Sequence, residues 1–592
     1  MKREEIDNSL KWKTEKIFEN DEKFYEDLKN IDKLTEKVTE HKGKILNSAD
    51  SLYETLKDVE KCSREIEKIV VFSNLKKDED TTNSDYQKMN QYAMNAYSKF
   101  YENLSFLKPE ILKEDREKIE KFIEEKDELK IYEHFFDDLF REKAHTLSES
   151  EEKIIASFSP LTENPENTYS LFSNADLSFH PAHKNGEKVK ITDANFTLLQ
   201  EDEDRNFRKE VYENYYGSYK HFENTASSLL DGELKANNII SKLKKYKSAR
   251  AMSLHAGNIP EEVYDNLIET IHENMDIMER YTSLRKKILS VDTLHFYDVY
   301  MPLVKSFDKK YSFDEAKEIV LNALKPLGEE YVQQAKKGFE DRWFDVIPND
   351  GKRSGAYSSG GYDTDPYILL NYNGTLDDIF TVIHELGHSM HSFYTRKTQP
   401  FIYGHYSIFL AEIASTTNEL LLLNYLLDNV KDEDEKTYLL NYYMNSFKST
   451  VFRQTMFAEF EHKANKLVEN GQPVVAKTLN KIYGDLNKLY FGKDMEVDDK
   501  ISVERERIPH FYMFYYVYQY ATGFSAAVLF SQKILKGNKD DVEKYLRFLK
   551  AGESKYPTDV LKEAGVDLTK KEVVQKAMDV ARETLKELEK RF

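Results

Sequence analysis

The sequence predicts a mainly α-helical fold, and three observations support this. The chain of 592 residues contains only 21 glycines and 13 prolines, the residues that most often interrupt helices. Long stretches rich in Lys, Glu and Leu place apolar residues three and four positions apart, the spacing of an amphipathic helix. The chain is also longer than one hydrophobic core usually serves, so we expect two or more domains.

The N-terminal third has this helical pattern, as in SLYETLKDVEKCSREIEKIVVF. We predict an N-terminal helical lobe over residues 1–200, acting as a lid or scaffold, and a second region over residues 201–592. Just before this boundary, Asn185 and Gly186 indicate a β-hairpin turn. His180 and His183 flank a proline there, but this pair alone is weak evidence for a metal site.

Composition excludes several classes of function. The net charge of −20 gives an acidic surface that repels phosphate backbones, which argues against a nucleic-acid partner. An acidic surface mildly favours cationic ligands, although a solvated surface is the commoner explanation. Cys62 is the only cysteine, so no intrachain disulfide is possible. No apolar run suits a secretory signal or a membrane helix, and we expect a cytoplasmic protein without a membrane partner.

The stretch KRSGAYSSGGYDTDPYILLNYNGTLDDIF predicts a loop, a strand over residues 367–372, a turn and a helix. If residues 367–370 form an exposed edge strand, a substrate backbone can pair with Tyr367, Ile368 and Leu369. Gly360 and Gly361 indicate a mobile loop that could close over a peptide. A phosphate-binding loop is disfavoured because the Gly-Lys-Ser/Thr ending is missing.

The helix after this turn carries the sequence HELGH. Thr375 and Asp378 have the spacing of a capping box at its start. His384 and His388 are one turn apart, so both imidazoles can reach one metal ion. Glu385 lies about 100° round the helix and can act as a general base on a water at that metal. This arrangement is typical of a zinc metallopeptidase.

A catalytic zinc needs a third protein ligand. The first acidic residue after His388 is Glu412, in the apolar segment SIFLAEIASTTNELLLL. Burying it unpaired would be costly, and binding zinc would resolve that cost; facing solvent is the alternative. Glu419, seven residues later, could orient a zinc-bound histidine or be a surface charge. His391 lies on a similar helix face, where packing or contact with a ligand histidine is commoner than metal binding.

With HELGHSMH followed by AEIAST, the sequence resembles the M3 family of zinc metallopeptidases, in its oligoendopeptidase F branch. Further support comes from KRSGAYSSGGY, PYILLNYNGTLDDIF and IPHFYMFYYVYQYATGFSAA. The resemblance implies a two-lobed helical ellipsoid with a deep substrate channel and a small β element beside the zinc helix. It also makes residues 201–592 the catalytic region of a zinc peptidase of this family. It also implies that short, unstructured peptides are the substrates.

Carried over by position, the resemblance makes His384, His388 and Glu412 the ligands of one zinc ion and Glu385 the catalytic base. It makes His510 and a following tyrosine donors to the developing oxyanion. Tyr516 is the first choice, and Tyr520 is the second choice or a substrate-binding residue. For Phe511 and Phe514 core packing is expected.

The predicted function is therefore a zinc-dependent oligoendopeptidase. Two other classes stay open: a non-catalytic helical peptide-binding protein with a structural zinc, and a zinc hydrolase for a non-peptide substrate. Four protein ligands, commonly with cysteines, are usual for structural zinc, which disfavours the first alternative.

Overall fold

The computed structural model describes residues 1–304 and 309–592. These residues are mainly α-helical, as the sequence predicts. The helices are α1 (Asp21–Thr39), α2 (Ala49–Glu79), α3 (Ser84–Leu104), α4 (Leu107–Leu112), α5 (Arg116–Glu125), α6 (Glu133–Glu142), α7 (Glu149–Thr162), α8 (Asn164–Leu171), α9 (Asp193–Leu199), α10 (Arg205–His221), α11 (Glu223–Leu243), α12 (Ala249–Ala256), α13 (Glu261–Glu273), α14 (Met275–Ile288), α15 (Phe313–Ala323), α16 (Glu329–Glu340), α17 (Leu376–Thr398), α18 (Ile408–Asn429), α19 (Glu433–Ser446), α20 (Arg453–Glu469), α21 (Ala476–Phe491), α22 (Tyr518–Leu535), α23 (Lys539–Ala551), α24 (Pro557–Glu563) and α25 (Lys571–Glu589).

The strands are few and short. They are β1 (Ala182–Lys184), β2 (Glu187–Val189), β3 (Leu294–His295), β4 (Phe344–Asp345), β5 (Tyr357–Ser359), β6 (Tyr367–Leu369) and β7 (Met495–Glu496). β1 and β2 form an antiparallel hairpin, and β3 pairs in parallel with β7. The third sheet has the order β4-β6-β5, with β4 parallel and β5 antiparallel to β6.

The chain divides into two compact units built from interleaved segments. The first consists of Met1–Ala144, Asp308–Tyr425 and Phe530–Gly565. The second consists of His145–Phe307, Leu426–Leu529 and Val566–Phe592. Each of these units combines three separate segments of the chain, so the units are not a test of the predicted division into lobes at residue 200. That division stays a prediction.

In the first unit, the three-stranded sheet packs against an aromatic anchor near the N-terminus. Trp12 is 2% exposed and contacts Leu75 of α2 and Leu369 of β6. Its Nε1 donates a hydrogen bond to Glu79 Oε1 at 2.7 Å, so the buried indole is satisfied. Helix α17 packs against β5 and α23. The sheet and α17 thus share one well-packed core.

In the second unit, the tyrosines of α10 form much of the core. Tyr212, Tyr215, Tyr216 and Tyr219 are each at most 2% exposed. The buried carboxylate of Glu504 accepts hydrogen bonds from Tyr216, Tyr483 and Arg453. Ring packing and satisfied polar groups therefore stabilise this core together.

The predicted hairpin is confirmed. Asn185 and Gly186 have φ values of 53° and 83°, the left-handed pair that a tight hairpin turn needs. His183 Nδ1 lies 2.8 Å from Glu210 Oε1, so this histidine is paired with a carboxylate. Within residues 1–304 and 309–592, no helix combines the length and apolar character required to cross a bilayer.

Candidate metal centre

Helix α17 begins where the sequence predicts. Thr375 Oγ1 accepts from the backbone N–H of Asp378 at 3.1 Å, and Asp378 Oδ2 accepts from the N–H of Thr375 at 2.8 Å. This is a complete capping box. Ile379, Ile383 and Leu386 are fully buried, so the apolar face fixes the rotation of the helix. The histidines are thereby held on a partly open face.

Three side chains converge as metal ligands would. His384 Nε2 and His388 Nε2 lie 3.2 Å apart, and Glu412 Oε2 lies 3.5 Å and 3.6 Å from them. Among the residues that the structure describes, this is the one group of His, Cys, Asp or Glu side chains that could hold a metal. Two imidazoles and one carboxylate suit zinc and leave a coordination position free for water. The donor set therefore fits a catalytic zinc.

Glu419 contacts the other nitrogen of the first histidine. Its Oε1 forms a short hydrogen bond with His384 Nδ1. A carboxylate at Nδ1 favours the tautomer that carries its proton there, which leaves the Nε2 lone pair for a metal. Burial lowers the pKa of His384, but the Glu419 carboxylate outweighs this and raises the pKa to about 9.

Glu412 reaches the histidines because α18 approaches α17 very closely. Gly387 lies at the crossing, where an added Cβ would be 2.6 Å from Ser415 Cα and 3.1 Å from the Ala414 carbonyl oxygen. A side chain at this position would separate the helices. Gly387, the glycine inside HELGH, is therefore required for the close crossing of α17 and α18. The spacing of the histidines alone does not predict this role.

The environment of Glu412 differs from the prediction. Its side chain is 40% exposed, so the expected cost of burying a lone carboxylate is not present. The apolar neighbours Ile413 and Ala414 turn into the core, and Ser415 Oγ donates to Glu412 Oε2 at 3.2 Å. The carboxylate faces the two histidines across a space that solvent can enter.

Glu385 is buried beside this cluster, with 8% of its surface exposed. Its carboxylate accepts a hydrogen bond from the backbone N–H of Ser358 in β5. Burial raises the pKa of Glu385 to about 7. A carboxyl with this pKa can both take up and release a proton near neutrality, although a bound dication would lower the value. The hydroxyl groups of Ser358 and Ser389 lie 2.8 Å apart and join the strand to α17.

His391 has a packing position. It is fully buried, and its ring stacks on Tyr406 with centroids 3.7 Å apart. Among the described residues neither ring nitrogen has a hydrogen-bond partner, and burial lowers the pKa of His391 to about 3. Tyr406 in turn donates from its hydroxyl to the backbone carbonyl of His388 at 3.2 Å. His391 therefore supports the helix through an aromatic contact.

The prediction of an exposed edge strand at residues 367–370 is wrong. β6 is the middle strand of its sheet, with β4 on one side and β5 on the other. Tyr367, Ile368 and Leu369 are at most 1% exposed. A substrate backbone cannot pair with a strand whose two edges are already paired. The edge strands are β4 and β5, and β5 also contacts Glu385.

The two predicted loop glycines lie in tight surroundings. Gly360 has a φ of 143°, and its carbonyl oxygen accepts from Arg396 Nη2 at 2.9 Å. A Cβ on Gly361 would lie 2.9 Å from Glu67 Cγ. Close approach of neighbouring groups explains both glycines, while closure of this loop over a peptide stays a prediction.

The predicted oxyanion residues form an aromatic cluster within the second unit. Tyr520 Oη lies 3.3 Å from His510 Nε2, and the Tyr516 ring stacks near His510 with centroids 6.1 Å apart. All three side chains are half-buried. Phe511 is 2% exposed and packs as expected. Phe514 is only half-buried and has a φ of 44°, so it is a turn residue and not a core residue.

The chain is similar to known proteins over nearly its whole length. A model of peptidase family M3 matches residues 198–580, and a model of oligopeptidase F matches residues 93–179. Oligopeptidase PepF of Bacillus subtilis is 46% identical over 589 residues, covering 99% of this chain and 88% of that protein. Group B oligopeptidase PepB of Streptococcus agalactiae is 42% identical, with 99% and 98% covered. The crystal structure of oligoendopeptidase-F from Enterococcus faecium has a TM-score of 0.75 at 37% identity, with 96% and 99% covered.

Proposed function

Because the chain belongs to peptidase family M3 and is a metalloendopeptidase of the oligoendopeptidase F type, we propose that it cleaves internal bonds of short, unstructured peptides with one Zn²⁺ per chain. The observation that carries this proposal is the convergence of His384, His388 and Glu412 beside a buried general base. A cytoplasmic location accompanies the proposal, since the buried free thiol of Cys62 suits a reducing compartment.

His384, His388 and Glu412 are the proposed ligands. When bound there, zinc supplies Lewis acidity, which polarises the scissile carbonyl and makes an attacking water more acidic. Glu419 holds the proton on His384 Nδ1 and so fixes the ring orientation. His391 and Tyr406 keep this part of α17 in place by packing.

Glu385 is the proposed general base. Its carboxylate takes a proton from the water as that water attacks the peptide carbonyl, and later passes the proton to the leaving amine. Burial supports this role because it raises the proton affinity of the carboxylate, while the Ser358 N–H orients it.

His510 and Tyr516 stay the proposed donors to the oxyanion, on the strength of the family pattern. Their stacking, and the contact of His510 with Tyr520, support a shared role for the cluster. One such donor contributes roughly 3–4 kcal/mol to the stabilisation of a transition state when it is well aimed.

For substrate binding we propose β5 in place of residues 367–369. β5 is an edge strand, so an extended peptide can pair with its side away from β6 through backbone groups other than the Ser358 N–H, which donates to Glu385. Pairing through backbone groups tolerates many side chains, which suits broad specificity. Gly360 and Gly361 directly follow this strand and would border the bound peptide.

Mass spectrometry tests the proposal directly. Purified enzyme is incubated with a pool of short, unstructured peptides and one folded protein, next to a chelator-treated sample and the Glu385→Gln variant. We expect internal cuts in the short peptides only, and a loss of turnover of roughly 10²-fold or more in Glu385→Gln with zinc retained. Asp377→Asn, an exposed acidic residue on the same helix, is the matched control and should keep full activity.

The other outcomes select the alternatives. Uncut peptides together with one bound zinc per chain would favour a peptide-binding protein or a hydrolase for a non-peptide substrate. Wild-type turnover by Glu385→Gln would refute the assignment of the base. Full zinc occupancy in His388→Ala would refute the ligand assignment.

A further inference from the structure

An unusual turn precedes the two candidate tyrosines in the second unit. Phe514 and Tyr515 have φ values of 44° and 56°, so two consecutive residues adopt the left-handed region. This region crowds the Cβ atom of an L-residue against the backbone, and bulky aromatic residues rarely occupy it. The turn must therefore be held by its surroundings, as strained backbone near functional groups usually is.

Two neighbouring helices hold this turn. Glu461 of α20 accepts a hydrogen bond at Oε1 from the backbone N–H of Tyr515 at 2.5 Å. Ser253 of α12 donates from Oγ to the carbonyl oxygen of Phe514 at 2.8 Å. His462, next along α20, lies with its Nδ1 3.2 Å from the Tyr515 hydroxyl. The N–H of one strained residue and the C=O of the other are thus both bonded to side chains.

Burying Glu461 at this position is unfavourable for the free energy of folding. Glu461 is 2% exposed, and within the described part of the chain its Oε2 has no hydrogen-bond partner. Glu504, another buried glutamate of this unit, is compensated by Arg453 and two tyrosines. Burial raises the pKa of Glu461 to about 8. A poorly compensated buried carboxyl lowers stability, so its presence calls for a role other than stabilising the fold.

The turn determines where the following side chains lie. Residues 513–517 connect a short 3₁₀ turn that contains His510 to helix α22. Reversal of the chain at Phe514 and Tyr515 brings both Tyr516 and Tyr520 back to His510. Without the reversal, the chain would continue away from His510, and the two tyrosines would no longer surround it.

We propose that Glu461 is a positioning residue for the reaction: its buried carboxyl fixes the left-handed turn at Phe514–Tyr515 and thereby holds Tyr516 and Tyr520 against His510. The proposal rests on the role of His510 in oxyanion stabilisation proposed above. Ser253 assists from the other side of the turn. Glu461 does not touch substrate and acts only through the backbone of Tyr515.

Steady-state kinetics on a short peptide, with zinc content measured for every variant, test this proposal. Glu461→Ala should lower kcat by about tenfold or more while KM changes less than about threefold, because the lost alignment acts only in the transition state. Glu461→Gln keeps an acceptor for the Tyr515 N–H and should restore kcat to within about threefold of wild type. Ser253→Ala should also lower kcat. This variant tests the role of the turn if Glu461→Ala does not fold.

Glu459→Ala is the matched control. Glu459 is also a buried glutamate of α20, but it pairs with His272 and Tyr490 instead of the turn. Glu459→Ala should lower thermal stability and leave kcat unchanged. A merely structural role for Glu461 would make the two alanine variants behave alike, with similar losses of stability and similar kcat, and this result would overturn the proposal.

A double variant tests the positioning role of Glu461 separately from the role of His510 in oxyanion stabilisation. If Glu461 acts through His510, Glu461→Ala should change kcat by less than about threefold in a His510→Ala background. If the kcat losses of the two single variants multiply in the double variant, Glu461 acts independently of His510, and this result would overturn the positioning role. A kcat loss in His510→Ala with none in Glu461→Ala or Ser253→Ala would overturn it while leaving the oxyanion assignment intact. Wild-type kcat in His510→Ala would remove the oxyanion assignment and the positioning role together.

Discussion

Replacing Gly387 with alanine tests how Glu412, the proposed third ligand, reaches the histidines. The new Cβ would lie 2.6 Å from Ser415 Cα, whereas carbon atoms in contact are normally about 3.5–4.0 Å apart. The neighbouring backbone must therefore retreat by about 1 Å. Because Glu412 lies one turn before Ser415 on α18, its carboxylate moves away with the helix.

Two effects of opposite sign compete in Gly387→Ala. Alanine favours a helix interior over glycine by about 1 kcal/mol. Overpacking of a close contact lowers stability by about 1–3 kcal/mol, and the contact here is with backbone that cannot rotate away. We expect a net loss of stability. A misplacement of about 1 Å at a catalytic group lowers turnover by about 10²-fold, so activity should fall further than stability suggests.

The assay combines zinc titration, thermal unfolding and peptide hydrolysis. Gly217→Ala is the matched control, because Gly217 lies inside α10 and an added Cβ there would meet no atom of the described residues within 4 Å. That variant should be neutral or more stable, with unchanged activity. Wild-type zinc affinity and turnover in Gly387→Ala would refute the claim that the close helix crossing positions Glu412.

Two further predictions concern the carboxylates around the site. Glu419→Ala should weaken zinc binding or activity by about 10–100-fold, since His384 loses the partner at Nδ1; equilibrium dialysis of zinc measures this, and unchanged affinity would contradict it. In metal-free protein, the raised pKa of Glu385 means that stability falls as the pH rises from its unfolded value of 4.5 through about 7. Glu385→Gln should therefore stabilise metal-free protein by about 3 kcal/mol at pH 8 and by almost nothing at pH 4, as measured by denaturant unfolding; an equal effect at both pH values would contradict the assignment.

The parts of the site that the sequence predicts are those specified by local spacing. The capping box of Thr375 and Asp378 and the i,i+4 pair of histidines depend only on helix geometry. The sequence points to Glu412 because no other acidic residue lies between it and His388. Its exposure could not be predicted, since that depends on how far α18 stands from α17.

The error at residues 367–369 has a physical origin. A strand with one open edge and one solvated face usually alternates apolar and polar residues, whereas YILL is continuously apolar. That pattern is typical of a strand buried on both faces. The partners of this strand, Phe344–Asp345 and Tyr357–Ser359, lie upstream in stretches with no strand pattern of their own. Strands of two or three residues are stabilised by tertiary contacts, so sequence periodicity does not reveal them.

The contact between Ser358 and Glu385 affects which substitutions this enzyme can tolerate. The group that orients Glu385 is the N–H of the peptide backbone, which every residue except proline carries. Substitutions at position 358 can remove the link to Ser389 yet leave that donor intact. The partner of His384, in contrast, is the side chain of Glu419, which a single codon change abolishes. The orientation of the proposed general base therefore tolerates any residue except proline at position 358, whereas the orientation of the proposed ligand His384 depends on residue 419 remaining a carboxylate.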